Sequence, residues 1–157
     1  MTDLYLLYKT VHILSATVLF GTGLGTAFHM WRADRTGDLR VIANAARQTV
    51  LADWLFTTPA VIIQPLTGFM LMFEAGYALG ETWIMLSLGL YILIGACWLP
   101  VVWLQTRMRD LAVAALNDGA GLPPLYRRYM RIWFALGWPA FLSVIAIFAL
   151  MVFRPDL

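Results

Sequence analysis

Charge is scarce in this chain: 13% of its 157 residues are Asp, Glu, Lys or Arg, against 61% that are hydrophobic. That balance excludes an ordinary soluble domain and marks a membrane protein. Cysteine is scarcer still. Cys97 stands alone inside an apolar run, so no intrachain disulfide can form and the redox compartment is unreadable. Lysine occurs once, at Lys9, and histidine twice, at His12 and His29. On one helix the two histidines are about 25 Å and about 100° apart, so they cannot ligate one metal or haem iron together. One cysteine and two separated histidines also fall short of a zinc site. Ser15, Ser87 and Ser143 lie in apolar runs without an assignable histidine and carboxylate, which argues against hydrolase chemistry. A basic leader is missing too. Asp3 stands in its place, and the apolar stretch behind it is roughly twice a signal's usual length, so the first helix is expected to stay in the mature protein. No fixed-period repeat or low-complexity tract appears. The net charge of +2 carries no nucleic-acid footprint, and lipid phosphates are the expected anions.

Long apolar runs are what the sequence does have. Four of them, about 4–31, 50–77, 83–104 and 132–153, each suffice for the roughly 20 residues that cross a hydrocarbon core. The predicted fold is all-α, a single integral membrane four-helix bundle over residues 1–157. Nine of the 11 Lys and Arg residues fall in two connections, Arg32 to Arg47 and Arg107 to Arg131, and the link 78–82 has none. The positive-inside rule then places both basic connections in the cytoplasm and both termini on the outer side. Trp31, Trp54, Trp83 and Trp103 fall near span ends, as interfacial anchors do. The third helix is expected to continue through Asn117 and break at Asp118-Gly119 and Pro123-Pro124. Pro59, Pro65, Pro100 and Pro139 fall within spans, where each removes a backbone donor.

Polar residues inside the spans are the candidate site. Counting outward from the first basic connection puts His29 level with Asp53 near the inner surface. The same count puts Lys9 and His12 level with Met70 to Glu74 near the outer one, with Gln64 between. Either layer reads as an interhelical tie or as a proton-relay site. Lys9 can extend to the surface, whereas the imidazole of His12 cannot. His12 could hold a haem iron alone, with Met70, or with the His12 of a second protomer. The run "GTGLGT" places Gly21 and Gly25 in a G-x-x-x-G pattern, which admits either a packed helix or a flat cofactor such as a porphyrin or quinone. A second reading is a small-solute or ion carrier, or an accessory subunit, resting on Gln64 between Pro59 and Pro65 with Thr57, Thr58 and Thr67 nearby.

The segments "YLLYKTVHILSATVLFGTGLGTAFHMWRADRTGD", "LADWLFTTPAVIIQPLTGFML", "GACWLPVVWLQTRMRDLA" and "RIWFALGWPAF" together resemble the bacterial predicted integral membrane proteins of domain of unknown function 2269. The resemblance spans nearly the whole chain and implies four transmembrane helices. "KTVHIL" followed by "FGTGLG" is more loosely similar to the first helix of haem-binding membrane protoporphyrinogen oxidases and of copper-resistance D-type membrane proteins. The likeness to the protoporphyrinogen oxidases implies a haem b on His12. The expectation is therefore a haem b protein of electron transfer, with Met70 as second ligand, Gly21 and Gly25 admitting the ring, and a redox partner or a homodimer as its company.

Overall fold

A computed structural model of the chain describes residues 3–155. Helix α1 runs Asp3–Thr36, α2 Leu39–Ala52, α3 Thr58–Ala75, α4 Thr82–Asn117 and α5 Pro124–Phe153, and a five-residue π-helical turn, Asp53–Thr57, joins α2 to α3. No strand occurs among the described residues. α2, the π turn and α3 form one rod, and this rod, α1, α4 and α5 are four helices long and apolar enough to cross a membrane. With 34 and 36 residues, α1 and α4 are about 50 Å long and project past a hydrocarbon core of about 30 Å.

The first basic connection is mostly helix. Gly37, at φ +68°, takes the left-handed turn that ends α1, and the Asp38 carboxylate accepts from the Arg40 amide at 2.8 Å to start α2. Along α2 the buried residues are Ile42, Ala43, Ala45, Ala46, Thr49 and Val50, a helical stripe, while Arg40, Asn44, Arg47 and Gln48 are exposed. The alanines let α2 lie close against both α1 and α4. Around them Met30, Ala33, Leu104, Met108, Ala112, Tyr126, Met130 and Trp133 complete the largest core of the molecule. This core sits at the basic end, where the helices leave the bilayer and water restores the drive to bury apolar surface, about 25 cal/mol per Å². A smaller cluster of Met72, Trp83 and Ile84 closes the opposite end.

Between these clusters, apolar side chains face outward: Phe73, Ile92 and Val152 are each more than 70% exposed, as lipid contact requires. Trp31 and Trp103 mark the basic end with Arg35 and Arg107 stacked over their rings, and Arg154 covers Tyr77 and Trp83 at the other. Trp83 itself is buried rather than anchoring at a surface. α1 packs on α3 and α4 on α5, the two pairs sharing α2 as a strut, and α1 barely meets α5. Pro65 costs the Val61 carbonyl its usual amide partner within α3. The Tyr91 hydroxyl on α4 donates to that carbonyl instead.

Candidate functional site

Two polar clusters lie between the helices. In the outer one, the Thr67 hydroxyl donates to the Ile63 carbonyl at 2.8 Å and accepts from His12 Nδ1–H at 2.8 Å. The hydroxyl's single proton thereby assigns the imidazole proton to Nδ1. One turn away, the Ser15 hydroxyl donates to Gln64 Oε1. A Cβ at Gly68 would lie 3.4 Å from His12 Cε1, so the ring rests directly on the α3 backbone there. The cluster ties α1 to α3.

The pairings expected from counting outward shift along the helices. His12 meets Thr67 and Gly68, and Met70 is 43% exposed and takes no part in its contacts. Lys9 lies over the Tyr5 ring of its own helix, and Glu74 is exposed. His29 is exposed and does not hydrogen-bond to Asp53, which is buried against other partners. The contacts of His12 and Ser15 set a register in which Asp53 shares a wall with Thr26 and Ala27, about one turn further out than His29. Gly21 and Gly25 face open space, since a Cβ on either would meet nothing within 4 Å. The glycine that admits a close neighbour is Gly68.

The inner cluster opens into a cavity of about 460 Å³ where α1 and α5 stand apart below their contact at Phe20. Its outer end is closed by Phe20 of α1, which stacks on Phe141 of α5 at 5.3 Å and touches Phe148. Its walls are apolar and aromatic, including Phe28, Trp31, Phe134 and Trp138, and the exposure of Phe28 and Trp138 puts its mouth on the lipid side. Its floor is polar. Asp53 of the π turn, 5% exposed, accepts from the Thr57 hydroxyl at 2.9 Å through Oδ1, and the Gln105 side chain of α4 faces the same carboxylate. Asp53 Oδ2, Gln105 Oε1, Trp98 Nε1 and Trp133 Nε1 have no hydrogen-bond partner among the described residues, and all four residues line the cavity. Buried polar atoms are nearly always satisfied in native proteins, and each one left alone costs about 1–3 kcal/mol. The four atoms have almost no surface of their own in the cavity, so an entering group completes the site only with a shift of the side chains between them.

Of these residues the sequence reading singled out Asp53 and not Gln105, Trp98 or Trp133. Gln105 sits beyond the apolar window of its helix, next to the basic connection, and draws no notice there. A usable signal was the spacing of Trp98 and Gln105, seven residues apart and so on one face of α4. No histidine lines the cavity, and among the described residues no group of three or more His, Cys, Asp and Glu side chains could hold a metal ion. A family model described as "Predicted integral membrane protein (DUF2269)" matches residues 6–155. No curated protein and no solved structure matches.

Proposed function

The chain belongs to the DUF2269 family of predicted integral membrane proteins, and from that premise we propose that it binds a lipophilic small molecule taken laterally from the bilayer. The cavity holds the apolar body of that molecule, and Asp53, Gln105, Trp98 and Trp133 hold its compact polar head. The observation that carries this reading is the convergence of four unpartnered buried polar atoms on one aromatic cavity. An acyl chain alone would leave all four unsatisfied. By its charge bias the protein presents the α1–α2 turn and the α4–α5 turn to the cytoplasm, so uptake is from the inner leaflet.

The structure does not favour the haem reading. A ring in the cavity would find no histidine on its walls, and His12 lies outside it, engaged by Thr67 and packed on Gly68. Binding or carriage of a small molecule takes precedence over electron transfer on that ground. Absorption spectra separate the two, since a Soret band in wild type that is lost in His12→Ala would restore the haem.

The direct test uses N-phenyl-1-naphthylamine, a neutral lipophilic acceptor for tryptophan fluorescence. Trp98 and Trp133 in the cavity wall should transfer energy to it saturably, at one site per chain. Gly23 lines the cavity with nothing within 4 Å of a Cβ, so the side chain of Gly23→Leu starts into open space and occupies the cavity. Loss of the saturable phase in that variant is expected, and an unchanged phase refutes the site.

A further inference from the structure

We propose that the molecule taken into the cavity is an organic cation, and that its entry expels a proton from Asp53. This rests on the cavity reading above and adds the charge of the occupant.

Among the described residues, Asp53 is the sole ionisable side chain on the cavity wall. α1 contributes Thr26 and Trp31 there, α4 Trp98 and Gln105, and α5 Trp133 and Trp138, none of them a cation. On α2, Arg47 is exposed on the opposite face, and on α3, Glu74 lies at the far end. At the basic end His29, Arg32, Arg35, Arg40, Arg107, Arg127, Arg128 and Arg131 are exposed, and Asp34 and Arg109 are half-buried away from the cavity lining. A carboxylate 5% exposed at the floor of an aromatic pocket therefore has no counter-charge from the protein. Burial of such a charge is costly unless it is balanced, and here the balance must come from a proton or from an incoming cation.

The acceptors Asp53 Oδ2 and Gln105 Oε1 suit a cation, to which Trp98 and Trp133 would present ring faces and not their N–H donors. Tryptophan faces attract organic cations most strongly of the aromatic side chains, and four of the seven tryptophans, Trp31, Trp98, Trp133 and Trp138, line this space. An anion would find no cation on the wall, and a neutral head would bind beside protonated Asp53 without releasing its proton. The exchange is electroneutral: protonated Asp53 and a free cation give an Asp53–cation pair and one released proton. An exchange of this stoichiometry on a lipid-facing site is the elementary step of proton-coupled cation movement.

The test displaces N-phenyl-1-naphthylamine from the purified full-length protein with three probes of similar shape: tetraphenylphosphonium, neutral triphenylphosphine oxide and anionic tetraphenylborate. Tetraphenylphosphonium is expected to displace at least tenfold better than the other two. Its apparent affinity should rise about tenfold per pH unit where one proton exchanges for one cation. Asp53→Asn, which keeps size and shape, should abolish the preference and the pH dependence, each measured against that variant's own fluorophore affinity, and Asp53→Glu should keep both. Equal displacement by all three probes, or a preference unchanged in Asp53→Asn, overturns the cation and leaves the cavity. Absence of saturable fluorophore binding to folded wild type overturns the cavity reading and the cation with it.

Discussion

The contact between Tyr91 and the Val61 carbonyl allows a quantitative test of how this bundle tolerates proline. Pro65 has no N–H, so the carbonyl four residues earlier has no partner within α3, and the hydroxyl from α4 takes the place of the missing amide. Tyr91→Phe removes that hydroxyl and little else. The carbonyl is then stranded where water is scarce, at a cost in the range of about 1–3 kcal/mol. Interhelical hydrogen bonds measured within membranes average about 0.6 and reach about 1.7 kcal/mol, so roughly 1–1.5 kcal/mol is expected here. Pro65→Ala restores an amide at residue 65 that closes the ordinary helical bond to Val61. In that background Tyr91→Phe should cost only a few tenths of a kcal/mol. The coupling in the double-mutant cycle is then about 1 kcal/mol, or roughly fivefold in the unfolding equilibrium. Reversible unfolding by dodecyl sulfate in mixed micelles, followed by tryptophan fluorescence, reads all four corners. An equal cost of Tyr91→Phe in both backgrounds would refute the argument, because the hydroxyl would then not be serving the carbonyl that proline freed.

Other outcomes follow from groups already described. Tyr126 is fully buried with its hydroxyl unpartnered, and burial with Asp34 nearby pushes its phenol up from the ordinary value. Tyr126→Phe should therefore be neutral or stabilising by up to about 1 kcal/mol, and a loss of that size in the same unfolding assay would show a partner for the hydroxyl. Asp34, beyond the apolar span of α1, has its carboxyl raised above the ordinary value by burial, with Arg127 opposing. A carboxyl raised in the folded state favours folding in its protonated form, and this advantage is lost as pH rises through the folded value. The stability of Asp34→Asn relative to wild type should consequently be greater at pH 7 than at pH 4, and a gap that narrows toward pH 7 would reverse the sign. Gly68→Val drives a branched side chain into the His12 ring and should destabilise by about 1–3 kcal/mol. His12→Ala should recover much of this, and the absence of any recovery would separate the two residues.

The four membrane helices and the basic ends were legible because composition and hydropathy act residue by residue, without regard to partners. α2 was hidden by the same method. Its four exposed polar residues lower the local hydropathy, so the segment reads as a charged connection, although Ile42, Ala46, Thr49 and Asp53 already stand at helical spacing. Asp53 and His12 were recognisable because ionisable groups in spans are expensive, but their neighbours were not. Counting from the middle of a connection assumes a symmetric hairpin. The connection is instead a tight turn at Gly37 and a helix packed against α1 and α4, and the pairing moved by about a turn. The glycines misled for a different reason. A G-x-x-x-G pattern states that a close approach is sterically allowed, and Gly21 and Gly25 have no neighbour in the chain that uses it. Gln105, Trp98 and Trp133 became a site only when α4 and α5 were folded onto the π turn.

That π turn also resolves a problem of direction. From Ile42 through Ala46, Thr49, Asp53, Ala60 and Thr67, the buried positions of the α2–α3 rod keep an almost unbroken helical period in the sequence. In a continuous α-helix such a stripe would look at one neighbour along its whole length. Yet the lower part of the rod packs on α4 as well as α1, while the upper part packs on α1. A π turn holds about one residue more than an α turn, and at 100° per residue the helix above it is out of phase by up to about 100°. Five residues thus act as a phase shifter, letting one simple periodicity address two partners in succession, and the carboxylate of Asp53 stands where the phase changes.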